Sequence, residues 1–132
     1  MGDEFIEAYG NSLEEAFESA GMALVDTMID INEVDDKIEE FIKTHGLDLE
    51  NLLYNWLEEL LIKVTSENKV YSSFTVKIYQ KEGSYELEGI VKGEELNISK
   101  HKPKTEVKAV TYHMMDIKQD SEGVVLRFLL DL

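Results

Sequence analysis

Leu49, Leu52, Leu53, Trp56, Leu57, Leu60 and Leu61 recur at intervals that stack all of them on one side of an α-helix. A stripe this wide and this apolar cannot face water. The chain must therefore supply a sheet or another helix for it to cover. Glu50, Asn51, Asn55, Glu58 and Glu59 take the remaining faces, and Asp48 stands where an N-cap is needed. A second amphipathic helix is predicted from Leu13 to Ile29. Ser12 and Glu15 form a capping box at its start, and Leu13, Phe17, Ala20, Leu24 and Met28 form its stripe. That stripe reads as core packing and not as a cofactor box.

After Glu67-Asn68-Lys69 the period changes to two. Phe74, Val76 and Ile78 alternate with polar residues, Lys81-Glu82-Gly83-Ser84 is a turn, and Tyr85, Leu87, Gly89 and Val91 continue on a second strand. Gly93 to Pro103 reads as a polar loop carrying Lys100, His101, Lys102 and, just beyond it, Lys104. Lys104 to Met115 has strand composition, with two lysines, a glutamate, a tyrosine and a histidine mixed among its apolar residues. A turn at Asp120 to Gly123 leads to a last strand, on which Val124, Leu126, Phe128 and Leu130 share one face. A short strand ending at Gly10 opens the chain. Val34, Ile38, Phe41 and Ile42 are spaced as on a helix that Gly46 would end; a strand from Lys37 to Thr44 is the alternative. Asp30 to Asp36 fails the calcium-loop test, because Asp35 stands where glycine is needed and Phe41 where the bidentate glutamate belongs. It reads as a solvated acidic loop. No repeat, linker or low-complexity segment is visible, and the length suits a single domain over residues 1–132.

Twenty-eight acidic residues against thirteen basic ones give a net charge of −15. Such a surface repels nucleic acid, whose binding relies on Lys and Arg at the phosphates. A role on RNA would therefore run through a basic partner or a metal. There is no cysteine, which excludes disulfides, thiol catalysis and thiolate metal sites. With no visible signal peptide and no apolar run long enough to span a bilayer, a cytoplasmic protein without membrane contact is expected. Walker, dinucleotide, nucleophile-elbow and zinc motifs are absent, and no complete catalytic constellation is visible.

The stretch Lys104-Thr105-Glu106-Val107-Lys108-Ala109-Val110-Thr111-Tyr112-His113-Met114-Met115 resembles the signature of the archease family. These are small proteins that assist GTP-dependent tRNA-splicing RNA ligases of the RtcB type. The resemblance extends through Ser12–Leu24, Asp48–Leu61, His101 and the terminal Leu-Leu-Asp-Leu, so it covers nearly the whole chain with the motifs in family order. It implies a strand at residues 37–44. The order is then β-α-β-α-β-β-β-β, an α+β fold of two layers: a six-stranded, mostly antiparallel sheet with two helices on one face. It further implies an accessory protein, not an enzyme, that promotes ligase guanylylation and multiple turnover and meets tRNA only through the ligase.

In this family an Asp near the N-terminus, the Asp of the C-terminal end and the final backbone bind one metal ion. By motif position these are Asp3, Asp131 and Leu132. The oxygen ligands suit Ca²⁺ first, with Mg²⁺ or Mn²⁺ as alternatives. The His and Thr that precede this Asp in the family motif have no counterpart ahead of Asp3, which suggests a shortened or divergent start. Lys104, Glu106, Lys108, His101 and His113 are the candidate partner contacts. The residues themselves leave open whether His101 and His113 are ligands, acid–base groups or hydrogen-bonding residues, and whether Lys104 and Lys108 pair with Glu106 or with a partner. Two other readings stand beside the first: a small metal-dependent hydrolase acting on RNA or phosphate esters with Asp131, His101 and His113, and an acidic protein-binding module without metal.

Overall fold

The computed structural model describes residues 2–132. β1 (Asp3–Gly10) leads into α1 (Leu13–Met28). One 3-10 turn (Ile31–Glu33) precedes β2 (Ile38–Gly46) and α2 (Leu49–Thr65). Then follow β3 (Lys69–Lys81), β4 (Ser84–Glu95), a single-turn helix α3 (Ile98–His101), β5 (Ala109–Asp120) and β6 (Gly123–Asp131). The α+β class and the order of strands and main helices are those expected. Every strand pair is antiparallel. The six strands are shared between two three-stranded sheets, β1-β6-β5 and β2-β4-β3.

The leucine stripe is buried as its spacing requires: Leu52, Leu53, Trp56, Leu57 and Leu60 are inaccessible to solvent. α2 packs on β2 and β5, α1 packs on β1 and β3, and so each helix spans both sheets. The Trp56 indole N–H donates to the Phe17 carbonyl at 2.9 Å, tying the helices together inside the core. Burial also settles residues 38–46 as a strand. Ile42 faces the core while Phe41, next to it, is 59% exposed, so the helical spacing of this segment has no packing counterpart.

The segment around the signature departs from expectation. Residues 102–108 are not in a strand. Lys102 closes α3 in the left-handed region (φ 52°) and Pro103 has no N–H to give a ladder. The Lys104 N–H goes instead to the Met28 carbonyl at the end of α1 (2.8 Å). β5 begins only at Ala109, and its pairing with β6 is interrupted between Thr111 and Asp116 by a bulge in which Met114 takes φ 61°.

The fold also carries a repeat that the sequence reading did not find. A step of 36 residues maps Asp3–Met28, β1 and α1, onto Glu39–Val64, most of β2 and α2. It takes Glu4-Phe5-Ile6 to Glu40-Phe41-Ile42, Gly10 to Gly46, Leu13-Glu14 to Leu49-Glu50 and Leu24 to Leu60. The local geometry repeats with it. Ser12 accepts from the Glu15 N–H, and Glu15 takes the Asn11 N–H. Asp48 accepts from the Asn51 N–H, and Asn51 takes the Leu47 N–H. At both Gly10 and Gly46 a Cβ would collide with the first turn of the following helix, at Ala16 and Leu52 respectively. A step of 39 residues maps the later part of the hairpin β3–β4 onto β5–β6, carrying Ile78 to Ile117, Gln80 to Gln119 and Leu87 to Leu126. Registers agree: Ile6 opposes Phe128 as Ile42 opposes Gly89, and Ile117 opposes Leu126 as Ile78 opposes Leu87. The identities are too sparse to read as a repeat because the core positions trade size. Ala20 corresponds to Trp56, and Phe128 to Gly89, whose missing side chain leaves room for the Trp56 ring.

Candidate metal and partner site

β1 and β6 place Asp3 directly opposite Asp131. The Leu132 N–H donates to the Gly2 carbonyl at 3.0 Å, which makes Asp3 and Asp131 the type of antiparallel pair without mutual backbone bonds. In such pairs the Cα atoms lie about 4.5 Å apart and the side chains stand close. Both carboxylates point outward and are exposed, since Ile6, Phe128 and Leu130 on the alternate parity fill the interior. The Asp131 carbonyl accepts the Lys108 N–H at 2.8 Å, which fixes the start of the signature segment beside the pair. Two aspartates and the adjoining Leu132 backbone offer hard oxygens, the donors Ca²⁺, Mg²⁺ and Mn²⁺ prefer. The set therefore fits such an ion in kind. Among the described residues no third His, Cys, Asp or Glu joins them, so water or a partner must complete the shell.

The partner candidates scatter. Lys104, Glu106, Lys108 and His113 are exposed. Among the described residues the two lysines do not pair with Glu106; Lys104 reaches Asp26 at 3.4 Å. The His113 N–H donates to Thr111 Oγ1 at 2.8 Å, within the β5 bulge. Next to it Tyr112 stacks on Tyr54 of α2, centroids 4.4 Å apart, and its hydroxyl accepts from the Asn51 side chain at 2.7 Å. His101 is fully buried. Its Nδ1 accepts the Asn97 N–H at 2.9 Å, which leaves the proton on Nε2 to donate to Glu94 at 2.8 Å. It is thus a histidine whose two ring nitrogens are both engaged within the fold. The trio Asp131, His101 and His113 is not assembled, because His101 is sealed inside while the other two lie at the surface.

Comparison with known proteins shows the family. The sequence profile of the Archease protein family matches residues 1–132. The chain belongs to the archease family. It is 47% identical over 118 residues to Protein archease of Pyrococcus furiosus, covering 89% of this chain and 83% of that one. It is 44% identical over 127 residues to Protein archease of Sulfolobus acidocaldarius, covering 96% and 90%. The solution structure of Methanobacterium thermoautotrophicum protein 1598 matches with a TM-score of 0.85 at 36% identity, over 100% of this chain and 94% of that one.

Two charged clusters of this archease escaped the sequence reading. Glu94 accepts from His101, from Lys100 (2.8 Å) and from the Asp35 N–H (2.9 Å). Lys100, then Asp35 and His101, hold its carboxyl well below the usual range. Lys100 also meets Asp35 at 2.7 Å, and Lys102 meets Glu33 at 3.7 Å. The one basic cluster of the archease sequence is therefore neutralised by the chain itself. Glu40, turned inward on β2, accepts from Lys63, Lys69 and the Tyr71 hydroxyl. Burial pushes its carboxyl up, but the bonds from Lys69, Tyr71 and Lys63 outweigh it and bring the pKa down to about 2. The partners of Glu40 lie 23 to 31 residues away in sequence, so no local pattern marks this carboxylate.

Proposed function

We propose that this archease is a metal-binding accessory protein of an RtcB-type, GTP-dependent tRNA-splicing RNA ligase, acting in the cytoplasm to promote ligase guanylylation and multiple turnover. Family membership supports the protein-cofactor role. The observation that carries the metal part is the cross-strand placement of Asp3 opposite Asp131 at the Leu132 end of the sheet. Asp3, Asp131 and the Leu132 backbone would hold one divalent cation, Ca²⁺ first, with Mg²⁺ or Mn²⁺ as alternatives; bound there, it supplies positive charge and open coordination positions to a partner. Lys108 anchors the signature segment on Asp131 through its backbone. Its side chain, with those of Lys104, Glu106 and His113, is exposed for contact with the ligase. tRNA is met through the ligase alone.

The test is joining of tRNA halves by the cognate ligase with GTP, with and without this chain. The parent is expected to convert a single round of joining into repeated turnover, and Asp131→Ala to abolish that gain while circular dichroism stays unchanged. Equal stimulation by Asp131→Ala would remove the carboxylate pair from the mechanism.

A further inference from the structure

The repeat gives the Asp3–Asp131 pair a counterpart. On the outward faces of the two sheets the rows correspond one to one. Phe5–Leu129 answers to Phe41–Ile90, Glu7–Arg127 to Lys43–Glu88, and Asp3–Asp131 to Glu39–Lys92. Opposite signs face each other in every charged row but one. Arg127 binds Glu7, and Lys92 Nζ lies 3.8 Å from Glu39. Among the described residues only Asp3–Asp131 sets like charges across a strand pair, an arrangement that weakens a sheet. Among the described residues the neighbouring strands set no charge opposite the pair. The β5 residue beside Asp131 is Ala109, and β1 is the edge of its sheet.

We infer that a cation between Asp3 and Asp131 is the positional equivalent of Lys92. It closes this end of the sheet as a fold element, and a lysine at residue 131 would do the same without metal. The inference rests on the reading that the two aspartates hold a cation, but it concerns what the ion does for the chain itself, apart from any ligase.

The experiment follows thermal unfolding and calorimetric CaCl₂ binding of the full chain. For the parent, Ca²⁺ should bind with one site and raise Tm by a few degrees, and a chelator should reverse the rise. In chelator, Asp131→Lys should melt above both the parent and Asp131→Asn, and its Tm should ignore Ca²⁺. The reciprocal change Lys92→Asp recreates the acidic pair in the other half. It should raise the stoichiometry from one site to two and lower Tm in chelator. A parent that binds Ca²⁺ with no change in Tm overturns the inference while leaving metal binding intact. So does an Asp131→Lys protein that melts no higher than Asp131→Asn. Should Asp131→Lys fail to fold, a single site in Lys92→Asp is sufficient to overturn it. A parent that binds none of Ca²⁺, Mg²⁺ or Mn²⁺ sinks the metal reading, and this inference with it.

Discussion

Glu18 of α1 accepts a hydrogen bond from the backbone N–H of Val76 at 2.8 Å, and one helical turn earlier Glu14 does the same for Ile78. Two helical residues four apart are separated by about 6 Å along the axis, and two strand residues two apart by about 6.7 Å. The two carboxylates thus match successive outward N–H groups of an edge strand. Replacing both by alanine should leave those donors open to another strand. We expect a loss of about 1–3 kcal/mol for each donor left unsatisfied, with concentration-dependent association in sedimentation velocity. A double variant that stays monomeric and fully stable would show that the clasp is incidental.

Part of the acid sensitivity should reside in Glu40, with Glu94 as the other depressed carboxyl. Its carboxyl sits at about 2 in the fold against an ordinary value of 4.5. The depressed value means that its contribution is complete above the ordinary pKa and fades as pH falls from about 4.5 towards about 2. The urea midpoint of the parent should drop through this window. Glu40→Gln should start lower at neutral pH and drop less. An unchanged acid slope in that variant would assign the transition to other carboxylates, Glu94 first.

The core prediction concerns Leu57, fully buried on α2. Leu57→Ala should cost about 2–5 kcal/mol in chemical denaturation, as large-to-small core changes do. A cost near zero would mean that the stripe is not packed as described.

Binding to tRNA by the isolated chain should be weak. The net charge is −15, and Lys100, Lys102 and Lys104 each face an acidic side chain of the same molecule. Fluorescence anisotropy with labelled tRNA at low salt is the check. Tight binding that collapses as salt is added would revive direct action on RNA.

What was legible in the sequence was local. Helix stripes, the caps at Ser12 and Asp48 and the hairpin turns depend on residues a few positions apart, and the structure reproduces them. Residues 38–46 were ambiguous because Phe41 and Ile42 mimic a helical stripe while pointing to opposite faces of a sheet. The roles of Glu40, Glu14 and Glu18 depend on partners brought close only by the fold, and Glu94 gathers the distant Asp35 N–H besides its sequence neighbours Lys100 and His101, so each reads as one more acidic surface residue. His101 was visible as a residue of interest, but its burial was not, because its surroundings in sequence are polar. Asp3 was singled out through family resemblance alone, and its position opposite Asp131 could not be read from either segment by itself.

The two sheets differ in how soon they can exist. β2, β4 and β3 come from one continuous stretch, residues 38–95, whereas β1 has no hydrogen-bonded partner strand until β6, at residues 123–131, has been made. On a ribosome, the second sheet with α2 can close before β6 has been made, and β1 waits for β6. The carboxylate pair comes into being only with that final closure. Protease challenge of stalled nascent chains should accordingly show residues 38–95 protected early and β1 protected only once β6 has left the exit tunnel. An ion added to the nascent chain would then have nowhere to bind until Asp131 has emerged and met Asp3.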